Sequence, residues 1–146
     1  MINMAEVIRK TVELAKESLA EHQQLEKEYN DAHGLPTGGF RPIGESIGLA
    51  LELLMDCPPA RMRLMDFLAS LDDETAFRLG VLMYIGREGD TDPAGAYKEY
   101  LHMQPHMRGI IREKIRMLDR YLNDASALMR EIGFDIDSGW PSPPVE

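Results

Sequence analysis

Glu88, Asp90 and Asp92 alternate along one short stretch, and Glu99 stands at the twelfth position counted from Glu88. Oxygen donors at positions one, three, five and twelve are the spacing of a calcium loop. Pro93 occupies the place where such a loop turns on glycine, and Asp92-Pro93 has a second meaning as a helix cap followed by a first-turn proline. The spacing therefore predicts a solvated acidic loop with a cap, and no metal site is assigned. His102 and His106 are related as i,i+4, the separation at which one helical face offers two imidazoles to zinc. Pro105 lies between them and starts a new helix, which destroys that register and predicts two surface histidines in a turn. Cys57 is the single cysteine, so neither a disulfide framework nor a multi-cysteine zinc site is available. It sits at a helix end with no identifiable base, and no nucleophilic role follows. No catalytic residue and no cofactor is assigned.

Two cationic features remain. The run Val81-Leu82-Met83-Tyr84-Ile85 ends in Gly86-Arg87. It reads as a buried helix stopped by a left-handed glycine, with an arginine complementing the negative helix end. Arg108, Arg112, Arg116 and Arg120 recur every four residues. On a 3.6-residue helix such a stripe drifts by about 40° per step, so it winds across the surface. Pairing with the acidic first helix is the expected use of the stripe, and a phosphate- or nucleic-acid-binding face is the alternative. The candidate binding residues are Arg87, Glu88, Asp90 and Asp92 at the helix end, with Arg112 and Arg116 on the stripe.

The elements that must position these groups are all helical. From about Asn3 to Asp31, Ala5, Ile8, Val12, Ala15, Leu19, His22 and Tyr29 form one stripe on a long helix. His22 on that stripe reads as a half-buried side chain, not a ligand. Residues 33–42 collect Gly34, Pro36, Gly38, Gly39 and Pro42 and predict a loop. A second helix is expected from Glu45 to Asp56, with Ile47, Leu51, Leu54 and Met55 facing inward. A third follows from Pro59 to Ser70, offering Met62, Met65, Phe67 and Leu68. Ser70 or Asp72 caps a fourth, and Asp92 caps a short fifth carrying Tyr97, Tyr100 and Leu101. The last, from Pro105 to Ile132, places Met107, Ile111, Ile115, Leu118, Leu122, Ala125, Met129 and Ile132 on one face, and Gly133 stops it. No segment alternates with period two, so the fold class is all-α: a bundle of five to six helices with long N- and C-terminal helices. Gly48 and Gly80 fall inside helices, where close approach of a neighbour is the simplest compensation. Most of the ten methionines lie on apolar faces, where flexible thioethers fill irregular cores.

A resemblance attaches to the Gly86-Arg87 segment. Leu82, Met83, Tyr84, Ile85, Gly86, Arg87 and Asp90 resemble the helix end and acidic loop of an uncharacterised bacterial domain family. Val7-Ile8, Leu14-Ala15 and Tyr121-Leu122 are similar to further parts of its pattern. The chain departs from it after Leu122, continuing as Asn123-Asp124-Ala125 where the family has a Gly/Pro-containing turn. The resemblance implies a related fold and no activity.

With 146 residues, 44% hydrophobic and 28% charged, the chain fits one helical domain, 1–134, followed by a Pro-rich tail, 135–146. That tail is expected to be extended or docked and not helical. A net charge of −9 disfavours nucleic acid as a partner. No apolar run is long enough to span a membrane, and the lone cysteine points to the cytoplasm. The functional expectation is a non-catalytic helical interaction or oligomerising protein. An enzyme or small-ligand-binding protein using the Gly86-Arg87 end is the alternative. Two terminal rods of roughly 42 Å in a globule about 38 Å across must project their apolar ends, Met4 to Ile8 and Met129 to Ile132. Those ends predict a homodimer built on the terminal helices.

Overall fold

The computed structural model describes residues 3–35, 47–51 and 58–141, and among them every regular element is a helix. The order is α1 (Met4–Ala32), a helical stretch at 47–51, α2 (Pro59–Ser70), α3 (Asp73–Glu88) and α4 (Pro93–Glu99). A 3-10 turn (Leu101–His106), α5 (Met107–Glu113) and α6 (Ile115–Glu131) complete it. The architecture is the all-α bundle with long terminal helices that the periodicity predicts. None of the described helices is long and apolar enough to cross a membrane.

Local chemistry sets most helix ends. The Asn3 side chain accepts from the Glu6 N–H at 2.8 Å, and Asp72 accepts from Thr75 at 3.0 Å. Asp92 accepts from Gly95 at 3.1 Å, which makes it the cap of α4 ahead of Pro93. Gly133, at φ 73°, closes α6, with the Phe134 N–H donating to the Met129 carbonyl at 2.9 Å.

The expected last helix is interrupted. It begins at Met107, not Pro105, and breaks at Lys114, whose backbone stands at φ −102° and ψ 17°. Short i→i−3 bonds flank the break, from Lys114 to Ile111 and from Met117 to Lys114, each 3.0 Å. Ile111 and Leu118 stay buried on either side while Ile115 is only partly covered. The stepping by three and four runs straight through this point, so periodicity alone gives no sign of it.

The main core lies where α3 crosses α6 and α1 runs beside both. Phe77, Leu79, Leu82, Ile85, Leu118 and Leu122 are buried in it. A Cβ on Gly86 would overlap the Tyr121 carbonyl and approach the Ala125 nitrogen at 3.1 Å. Gly86 is therefore a helix–helix contact and not the expected helix stop. The stop is Gly89, at φ 67°, whose N–H donates to the Ile85 carbonyl at 2.8 Å. Gly80 likewise admits the Met107 side chain.

The segment after α6 is docked, at least through Trp140. That indole is 7% exposed, meets Phe134 edge-on at 5.0 Å, and lies 5.9 Å from Tyr97. Its Nε1 donates to the Ile136 carbonyl at 2.6 Å. Asp137 accepts from the Met4 N–H at 2.6 Å, which ties this segment to the start of α1. Met4, Val7, Ile8 and Met129 are consequently buried within the chain. Of the apolar ends expected to support a dimer, Met4, Val7, Ile8 and Met129 are thus covered within the chain, whereas Ile132 is 40% exposed.

Candidate functional site

The acidic helix end is held by its own caps. Arg87, in the last turn of α3, lies 3.4 Å from the Glu88 carboxylate, and both side chains are about half exposed. Asp90 accepts from the Asp92 N–H at 2.8 Å, and Asp92 itself caps α4. Beside them Tyr84 and Tyr100 stack with centroids 4.5 Å apart, and burial followed by the charge of Glu99 raises the Tyr100 pKa. These groups build a turn. Among the described residues no three His, Cys, Asp or Glu side chains converge as metal ligands would. His102 and His106 are exposed on the 3-10 turn. Cys57 lies outside the described residues.

The arginine stripe divides in use. Arg108 donates to the carbonyls of Leu68, at 3.3 Å, and Leu71, and its Nη1 lies 2.7 Å from Asp73. It thus joins the end of α2 to the start of α3. Arg120 pairs with Asp124 at 3.9 Å along its own helix. Neither partner is on α1, and among the described residues no stripe arginine makes an ion pair with that helix. Arg112 is exposed on α5, whereas Arg116, one residue into α6 beyond the break, faces the middle of α1.

That middle is where the covering of α1 changes. Ala15, Ser18, His22, Leu25 and Tyr29 succeed one another at helical spacing and share a face. Ala15 belongs to the main core. Tyr29 belongs to a second, smaller cluster with Leu49, flanked by Leu25 and Leu35. Between the two clusters the face carries Ser18 and His22, and the bundle leaves a cavity of about 160 Å³. Leu19, Leu25, Pro58 and Ile115 give it apolar walls, while Arg61, Arg116 and Glu21 are its charged lining residues. An open groove of about 410 Å³ continues along α1 past Glu26, Lys27 and Asn30, with Arg116 lining both spaces.

The cavity also has a carboxylate in its lining, that of Glu21, and it is hydrogen-bonded to backbone. Glu21 accepts from the backbone N–H groups of Ala60, at 2.8 Å, and Arg61, at 3.2 Å. Pro58 at the N-cap of α2 has no side chain able to do this, so a residue distant in sequence caps the helix. His22 lies 3.5 Å from Glu26. Of the residues chosen from sequence, only Arg116 belongs to this site; Glu21 and Arg61 were not singled out. The available signal was the pair of polar residues, Ser18 and His22, interrupting an otherwise apolar face.

The helical stretch at 47–51 lies against the far end of α1. Leu49 is buried on Tyr29, and a Cβ on Gly48 would meet the Tyr29 hydroxyl at 2.5 Å. Ile47 and Leu51 are each 55% exposed, which reverses the inward placement expected for them. Leu54 and Met55, expected on the same face, lie outside the described residues.

No protein-family model, no curated protein and no solved structure matches this chain, so its function must be read from the geometry.

Proposed function

We propose that this is a non-catalytic helical interaction protein of the cytoplasm, and that it self-associates as a homodimer through the far end of α1 and the 47–51 stretch. The observation that carries this reading is the exposed pair Ile47 and Leu51, related as i,i+4 beside the buried Leu49. Apolar side chains one helical turn apart form a ready ridge for a second helix, and twofold pairing is the commonest way to cover one. This surface is preferred to the helix termini because Met4, Val7, Ile8 and Met129 are buried within the chain, which leaves Ile132 as the exposed apolar residue of those ends. The single cysteine supports the cytoplasmic assignment. The alternative, a ligand site at the Gly86-Arg87 helix end, has weaker support because Asp90 and Asp92 are committed to capping and Arg87 to Glu88.

Analytical ultracentrifugation across micromolar concentrations tests the reading. The wild type is expected to sediment as a dimer, and the double variant Ile47→Glu, Leu51→Glu as a monomer of unchanged helicity. A monomeric wild type overturns self-association.

A further inference from the structure

We propose that the cavity between the two apolar clusters of α1 is a binding site for a small organic carboxylate with a compact apolar body. Three properties of the site lead to this class of ligand. Its volume, about 160 Å³, is close to that of apolar cavities that hold a single benzene-sized ring. Its walls are largely aliphatic, from Leu19, Leu25, Pro58 and Ile115, so the enclosed part of the ligand must be apolar. Arg61 and Arg116 line the same cavity from different helices and are its two cationic side chains. An arginine fork matches a carboxylate in two parallel hydrogen bonds.

The charge of the site supports an anion. Among the described residues neither Arg61 nor Arg116 forms an ion pair, in contrast to Arg108 and Arg120 of the same stripe. Glu21 is held by the first N–H groups of α2, and Glu26 lies against His22. Glu21 lines the cavity too, with its carboxylate held on those N–H groups, and Glu26 lines the adjoining groove beside Lys27, so the cavity itself carries two cations to one acid. A ring in the cavity with its carboxylate toward Arg116 would leave the polar end at the mouth of that groove. The site is separate from the Ile47–Leu51 surface, so either proposal can fail without the other.

Calorimetric titration of the full chain with benzoate tests the assignment, with benzamide as the neutral isostere and inorganic phosphate as the anion without an apolar body. Benzoate is expected to bind, benzamide at least about tenfold more weakly, and phosphate not measurably. Arg116→Gln and Arg61→Gln are each expected to weaken benzoate about tenfold, as loss of a charge-assisted pair does. Arg116 is exposed, so its variant should keep the wild-type circular dichroism. Ser18→Leu, which fills the cavity, is expected to abolish binding. Absence of benzoate binding to millimolar concentration overturns the proposal. So does benzamide or phosphate binding as well as benzoate, or benzoate affinity unchanged in both arginine variants.

Discussion

The two halves of α1 belong to one 29-residue helix but are covered in different ways. From Met4 to Ala15 the helix is pressed into the main core, and Thr11, fully buried, satisfies its hydroxyl on the Val7 carbonyl at 2.7 Å. After Ser18 the next buried residue on α1 is Tyr29, which packs on Leu49 in a much smaller cluster. The first half is sealed by α2, α6 and the docked segment ending at Trp140; the second borders a cavity and an exposed apolar pair. A helix can therefore be continuous in its backbone and discontinuous in its packing. Binding surface belongs with the loosely covered half, because a closed core has no unsatisfied apolar area to offer.

The contrast is sharpest in the cost of truncation. Phe77→Ala, in the main core, is expected to lower stability by about 3–5 kcal/mol, whereas Leu25→Ala in the second cluster should cost only about 1 kcal/mol. Equal losses in urea denaturation would show that the two clusters are one core. Gly86→Val comes next, at about 3 kcal/mol, since the added carbons collide with backbone of α6 that cannot move aside cheaply. If Gly86→Val is tolerated while Gly89→Val is not, the close contact of Gly86 with α6 is overturned and Gly89 alone remains as the helix stop. Glu21→Ala should cost about 1 kcal/mol by uncapping α2. Hydrogen exchange should then speed up at Ala60 and Arg61 while Val7 to Val12 stay protected; faster exchange in both places would break the distinction.

The smallest expected effect is a pH dependence confined to the main-core side. The Thr75 hydrogen bond holds the Asp72 carboxyl below the usual range, aided by Arg78 and Arg108. A depressed folded pKa gives stability that is complete above the unfolded value, about 3.9, and is lost as pH falls through the folded one. Denaturation midpoints measured below about pH 4 should therefore fall less steeply for Asp72→Asn than for the wild type. Parallel slopes would remove Asp72 from the acid response.

Composition and periodicity were enough to establish the fold class, the long α1, the limits of α2 and the caps at Asp92 and Gly133, and to narrow the cap of α3 to Ser70 or Asp72. Each is decided within a few residues: an apolar stripe repeats every turn, a carboxylate reaches N–H groups three positions on, and a glycine alone adopts positive φ without strain. Tertiary structure decided the rest. Whether Gly86 ends a helix or admits another depends on Tyr121 and Ala125, which local sequence cannot place. The outward turn of Ile47 and Leu51 follows from Leu49 seating on Tyr29 instead. The break at Lys114 divides a stripe whose spacing shows no interruption, leaving Arg108 as a bracket between helices and carrying Arg116 to the α1 cavity. Spacing along a chain fixes which residues can share a face, but only the packing of separate helices fixes what that face meets.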